Sequence, residues 1–537
     1  MLLKGSIKKV LLVVVITLML VFTTSCKKEY KVEITEDLKA NIIDDNYRTY
    51  YQVFVGSFSD SNNDGIGDLK GLINRLDYLN DGDPNSGKSL GITGIWLSPI
   101  MPSPSYHKYD VTNYYEIDSN FGSIDDFKKL IEETNKRGIK VIIDLVINHT
   151  SEWHPWFREL KKAYQNNTNS KYKDYYVVVN EEERDLNKIY YPVYNGSSYY
   201  YEGNFSSSMP ELNFDNDDVK EEIKDIIKYW LDLGVGGFRL DAAKYIYLHE
   251  EDKNIDFWAW FMNEATKIKE DVYVVGEVWS SESGILPYYT NFNNFDFEMS
   301  ENYGLISQAA KATISVTDYL ESVKGYQDKV LNINENAILS PFISNHDMDR
   351  SAGYLSVDDY IMQMAASLYL LLPGNPFIYY GEEIGMKGSR GNANTDANRR
   401  LGMLWGDKDK VKDPAGTTYK KDLQTNGTVK EQLKNKDSLV NHYKKLIMIR
   451  NAFPEISRGL FTTLKIYDTI TLGGFVSTYQ GETVVVIHNT GIKSKTIDLS
   501  LYLDSLPKKM IIEVGKGSGE FVDGKLVIDG LSTIILK

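Results

Sequence analysis

Short apolar runs recur along this chain, and four of them stop on an acidic side chain. DLVINH, GFRLDAAK, VVGEVW and FISNHD put Asp144, Asp241, Glu277 and Asp347 at predicted strand ends. A helical pattern comes before each run: Phe127, Leu130 and Ile131 recur at helical spacing, Gly138 stops the helix, and Val141, Ile142 and Ile143 then lead into Asp144. Repeated βα units predict a parallel sheet. Eight of them closed into a (β/α)8 barrel bring the C-terminal strand ends to one face, where four carboxylates distant in sequence would share a pocket.

The same reading divides the chain. YYQVFVGSF from Tyr50 is the first predicted strand, GITGIWLSP (Gly91 to Pro99) the second and Val141 to Asp144 the third. From His149 to Ser208 the sequence is rich in Tyr, Asn and Ser and lacks the helix that the rhythm calls for, which predicts a subdomain inserted on the catalytic face. The barrel resumes with Val219, Ile223, Ile226, Ile227, Trp230 and Leu231 on one helical face, Gly234 as a stop, and the strand to Asp241. NPFIYYGEE (Asn375 to Glu383) reads as a seventh strand and HYKKLIMIR (His442 to Arg450) as a late barrel helix. After about Pro454 apolar and polar positions alternate, as in TVVVIHN and KMIIEV, predicting an antiparallel β-sandwich. The expected division is barrel over 46–148 and 209–453, insertion over 149–208 and sandwich over 454–537.

The N-terminus has a different character. Lys4, Lys8 and Lys9 precede an apolar stretch from Val10 to Phe22, shorter than the roughly 20 residues of a membrane span, so residues 1–25 read as an export signal. The sole cysteine, Cys26, follows Thr24 and Ser25 and resembles the lipidated cysteine of a bacterial lipobox, although Thr23 stands where Leu is usual. Residues 26–45 are then a membrane tether outside the fold. One cysteine excludes an intrachain disulfide, and a net charge of -15 argues against a nucleic-acid partner. A neutral ligand fits better, and 38 Tyr supply platforms on which sugar rings can stack.

The carboxylates suggest a reaction. A retaining glycosidase needs an ionised nucleophile and a protonated acid about 5–5.5 Å apart. Arg239 lies two residues before Asp241, so on a strand both point to one face and the guanidinium favours the ionised carboxylate. Glu277, between Val274–Gly276 and Val278–Trp279, has the less polar setting of a general acid. Asp347 completes the set. Taken singly each residue has a plain structural explanation, such as a helix cap for an Asp or an ion pair for Arg239.

Taken in order, DLVINH, MPELN, GFRLDAAK, GEVW and NHD resemble the α-amylase family, glycoside hydrolase family 13, from about Tyr50 to the end of the chain. The resemblance implies that Asp241 attacks the anomeric carbon, Glu277 is acid and then base, and Asp347 stabilises the transition state. It further implies that Arg239, His149, His346 and Lys244 line the substrate site, Tyr109 stacks under the sugar, and Asp144 and Asn148 brace it. Two departures bear on specificity: Tyr106 stands where exo-acting members have a pocket-closing Asp, and Ala242 follows the nucleophile where 1,6-specific members have Val. Tyr245 replaces a frequent His.

In DSNNDGIGD, the side chains of Asp60, Asn62, Asp64 and Asp68 and the carbonyl of Ile66 alternate as oxygen donors around Gly65, a pattern suited to Ca²⁺. Gly71 in twelfth position excludes an EF-hand, and the family resemblance implies a structural calcium in this loop. The expectation is therefore a monomeric, lipid-anchored, endo-acting enzyme that cleaves α-1,4 bonds of starch or maltodextrin and needs no organic cofactor. A 4-α-glucanotransferase, a cyclodextrin- or pullulan-cleaving enzyme, and a non-catalytic glycan-binding lipoprotein are the alternatives.

Overall fold

The computed structural model describes residues 33–34, 38–294, 303–355, 359–507 and 509–537; the predicted signal segment and Cys26 lie outside the described residues. Seven parallel strands form one curled sheet in the order Asn293–Asn294, Tyr273–Gly276, Gly237–Leu240, Lys140–Leu145, Gly94–Leu97, Tyr50–Val53 and Phe377–Tyr379. The segment Ile338–Ser344 bridges its two edges. Ile338 N–H donates to the Asn293 side chain at 2.6 Å, while Asn375 and Phe377 N–H donate to the carbonyls of Leu339 and Pro341 at 2.6 and 2.9 Å. This gives a closed (β/α)8 barrel whose seventh position is an extended segment, not a ladder strand. The run NPFIYYGEE consequently holds the eighth position, since the two-residue strand Asn293–Asn294 carries too little apolar pattern to be counted from sequence.

Period-two alternation explains the interior. Tyr50, Trp96, Ile142, Tyr273, Val275, Phe342 and Phe377 point inward and form a plug, with Tyr50 stacked between Tyr273 (5.2 Å) and Phe377 (4.7 Å). Tyr51, Ile95, Val141, Ile143 and Phe238 point outward against helices. Two residues further along each strand the inward register reaches Gln52, Asp144, Arg239 and Glu277, so the apolar plug becomes the floor beneath a charged mouth.

The outer helices follow their patterns. Ile124–Lys136 starts at a Ser123–Asp126 capping box and buries Phe127, Leu130 and Ile131. Asp217–Asp232 buries the six apolar residues read from its sequence, and Gly234 leaves it at φ 97°. The predicted absence of a helix after the third strand is corrected: Pro155–Gln165 is helical, with Pro at its first turn and Trp156, Phe157, Leu160 and Ala163 buried. The antiparallel strands Val178–Asn180, Tyr199–Glu202 and Tyr190–Pro192 follow it.

At the C-terminus, a sheet including Leu460–Leu464, Leu472–Tyr479, Glu482–Asn489, Lys509–Gly515 and Ser532–Leu536 faces a three-stranded sheet of Lys495–Ile497, Gly519–Val522 and Lys525–Ile528. Leu472, Ile487, Ile534, Ile497, Leu526 and Ile528 fill the space between them as a β-sandwich core. The expected tether is partly built into the fold. Glu33–Ile34 pair in parallel with Lys509–Met510, Asn41 N–H donates to the Asn451 carbonyl at 2.8 Å, and Asp45 is paired with Arg458 at 2.7 Å. Among the described residues, no helix is long and apolar enough to cross a membrane.

Candidate active site

Arg239 is the hub of the charged mouth. Its side chain is wholly buried, with Nη1 2.8 Å from Asp144 Oδ1 and 2.7 Å from Asp241 Oδ1, and Nη2 3.0 Å from Glu277 Oε2. The spacing comes from the fold. Asp144 and Arg239 are register partners on adjacent strands, Asp241 is two residues beyond Arg239, and Glu277 extends the inward register of the next strand. One guanidinium cannot neutralise three buried carboxylates, so a proton must remain among them. Burial pushes Glu277 up to about 8, with the charges of Asp241, Asp347 and Asp144 adding to it and Arg239 opposing. Burial likewise pushes Asp144 up to about 7 against the pull of Arg239.

Asp347 has a different environment. Arg400 Nη2 lies 2.6 Å from its Oδ1 and His346 Nε2 lies 3.0 Å from its Oδ2. Burial opposes ionisation here too, yet these neighbours hold Asp347 well below the usual carboxylate range. The His346 interaction contributes most to this lowering, and Arg400 and Arg239 add to it; burial lowers the pKa of His346, with the charge and hydrogen bond of Asp347 opposing. His346 Nδ1 accepts from Gln52 at 2.8 Å, and its ring lies parallel to Tyr109 at 5.4 Å. The Tyr109 hydroxyl donates to Asp144 at 3.0 Å.

The remaining predicted residues surround this core. His149 Nε2 donates to the Tyr109 carbonyl at 3.1 Å, Lys244 Nζ donates to the Trp279 carbonyl at 2.5 Å, and Asn148 donates to Glu211. Tyr106 accepts from Arg400 Nη1 at 3.2 Å. Ala242, next to Asp241, holds the left-handed conformation (φ 48°, ψ 41°), a strained geometry for a residue with a Cβ. A cavity of about 870 Å³ is lined by Tyr109, His149, Asp241, Glu277, Asp347 and Arg400. A second of about 840 Å³ shares Asp347 and Trp279 with it. Sequence reasoning missed Gln52, Trp96 and Arg400. Extending the inward register by two from Tyr50 and Gly94 finds Gln52 and Trp96, but Arg400 lies in a loop without periodicity.

No residue of the Asp60–Asp68 loop lines the cavity at the carboxylates. Asp60 accepts from the N–H groups of Asn62, Asn63 and Gly65 at 2.7–3.0 Å, and Asp68 accepts from Ser61 and Gly71. Gly65 makes the turn at φ 99°. Among the described residues, no three Asp, Glu, His or Cys side chains converge as a metal cluster.

Comparisons with known proteins agree with the geometry. The family model described as alpha amylase, catalytic domain, matches residues 52–459. Alpha-amylase 3 of Dictyoglomus thermophilum is 39% identical over 497 residues, 91% of this chain and 92% of that protein. A 4-alpha-glucanotransferase of Thermotoga neapolitana is 33% identical over 359 residues, 64% of this chain and 74% of its own. The solved structure of Eubacterium rectale Amy13B is similar with a TM-score of 0.85 at 37% identity, covering 93% of this chain and 97% of that one.

Proposed function

The chain belongs to the alpha-amylase family and is an enzyme acting on α-glucans, and from that premise we propose that it hydrolyses internal α-1,4 bonds with retention of configuration. The observation that supports the endo-acting reading is that the cavity holding Asp241 and Glu277 shares Asp347 and Trp279 as lining residues with a second cavity, so room for sugar units is found on more than one side of Asp347.

In this mechanism, Asp241 attacks the anomeric carbon while Glu277 gives its proton to the leaving glycosidic oxygen, breaking that bond and forming a glycosyl ester on Asp241. Glu277, now a carboxylate, takes a proton from water, whose oxygen displaces Asp241 and restores both groups. Asp347, held ionised by His346 and Arg400, stabilises the oxocarbenium-like charge. Arg239 holds nucleophile and acid together, and Tyr109 is the platform under the reacting sugar. Transfer to a sugar hydroxyl instead of water uses the same intermediate. This second reading draws on the similarity to a 4-alpha-glucanotransferase.

The sequence pattern of the loop, with Asp60, Asn62, Asp64, Asp68 and the Ile66 carbonyl supplying oxygen donors at alternate positions within nine residues, supports a structural Ca²⁺ as part of this proposal. Export and lipidation at Cys26 would place the enzyme on the outer face of a bacterial membrane, a reading supported by the charged, apolar and small-residue order of the N-terminus.

A time course on maltoheptaose blocked at its non-reducing end tests the main reading. Early internal cleavage is expected, with turnover reduced by several orders of magnitude in Asp241→Asn; glucose released only from unblocked ends would refute the endo assignment. Products longer than the substrate would identify transfer. Because Glu277 must be protonated in the free enzyme, kcat/KM should fall as pH rises through about 8, and Glu277→Gln should lose this limb while forming the glycosyl ester from a glycosyl fluoride with far less damage than from maltoheptaose. An unchanged limb would reassign the acid. Dialysis against a chelator should lower Tm while leaving the rate per folded molecule nearly constant, and an unmoved Tm would remove calcium from the account. Cys26→Ser should release the protein from the membrane fraction, and retention there would exclude the lipid anchor.

A further inference from the structure

Among the described residues, Asp347 follows the one barrel position that has no regular ladder. Backbone pairing between this segment and the eighth strand is seen from Leu339 to Pro341, and side chains continue the connection beyond it. Ser344 Oγ donates to Glu382 Oε2 at 2.7 Å, three residues before Asp347. Arg350 Nη1 donates to the Tyr380 carbonyl at 2.6 Å, three residues after it, with its guanidinium over the rings of Tyr379 and Tyr380. Both attachments end in the turn that closes the eighth strand, where Gly381 (φ 82°) and Gly385 (φ 66°) reverse the chain.

Glu382 is itself held in place. Its Oε1 accepts from Tyr369 at 2.6 Å and Tyr443 at 3.0 Å, which come from the helices Asp359–Leu370 and Leu439–Ala452. The side chain is 3% exposed and receives three hydroxyl donors. Its neighbour Glu383, also buried, faces the other way and accepts from Tyr51 and Tyr78 at 2.8 Å each, on the first strand and in the short helix Leu76–Leu79. The two glutamates thus divide the barrel closure between them, and only Glu382 reaches the segment that carries Asp347.

We propose that Glu382 is a positioning residue for the reaction: through Ser344 it fixes the start of the His346–Asp347 loop relative to the eighth strand, and so sets where the Asp347 carboxylate stands. This rests on the role given to Asp347 above. A displacement of about 1 Å at a catalytic group can cost on the order of 100-fold in rate, so the anchor matters even though it never touches substrate. A carboxamide at 382 can keep the link, because the Ser344 hydroxyl can turn to accept from it, whereas an apolar isostere cannot.

The test compares Ser344→Ala, Glu382→Leu, Glu382→Gln and Asp347→Asn on maltoheptaose, with rates expressed per folded molecule. Ser344→Ala and Glu382→Leu should lower kcat about 10- to 100-fold with KM within about twofold, and should weaken binding of a cationic aza-sugar, a mimic of the oxocarbenium charge, by a similar factor. Glu382→Gln should stay near the parent. Where Glu382→Leu fails to fold, Ser344→Ala carries the test alone. Parent-like kcat in Ser344→Ala beside an inactive Asp347→Asn would overturn the inference and leave the role of Asp347 standing. Parent-like kcat in Asp347→Asn would remove that role and the inference with it.

Discussion

The sharing of one guanidinium by three buried carboxylates is the interaction on which the rest of the structure depends. Taking such ions out of water costs several kcal/mol each, and the cost is recovered only where geometry is held closely. Arg239 meets that condition with contacts of 2.7–3.0 Å to groups on three neighbouring strands. The barrel supplies the rigidity. Below the mouth, the stacked rings of Phe377, Tyr50 and Tyr273 fix the strand separations across the closure, and the inward register turns from apolar to ionic one step above them. The charge deficit is also what differentiates the carboxylates. With one cation for three acids, the group that keeps a proton near neutral pH is Glu277, while Asp347 escapes the competition because it has His346 and Arg400 as close partners of its own.

How much of this was legible in the sequence depends on whether a residue's role follows from its own strand or helix. Asp144, Arg239, Asp241 and Glu277 were legible because a strand has period two and each lies at a fixed step from an apolar run. The six buried residues of Asp217–Asp232 were legible for the equivalent reason at period 3.6. The seventh barrel position defeated the count because its attachment uses Asn293 and Ser344 side chains with two backbone contacts, and no alternation records such bonds. Helix Pro155–Gln165 was hidden by the polar and Tyr-rich surroundings that identified the insertion, although Trp156, Phe157, Leu160 and Ala163 carry its period. Arg400 and Arg350 act across the barrel on residues more than 25 positions away, and such partners exist only once the loops are folded.

The arrangement of Tyr106 and Arg400 bears on the electrostatics of Asp347. An acidic side chain at position 106 would compete for the Arg400 guanidinium, and the attraction available to Asp347 would be divided as Arg239 is divided among its partners. Tyr106 offers a neutral oxygen at 3.2 Å, which satisfies one guanidinium nitrogen without drawing its charge, while another nitrogen sits 2.6 Å from Asp347. A Tyr in this position therefore leaves the Arg400 charge committed to Asp347.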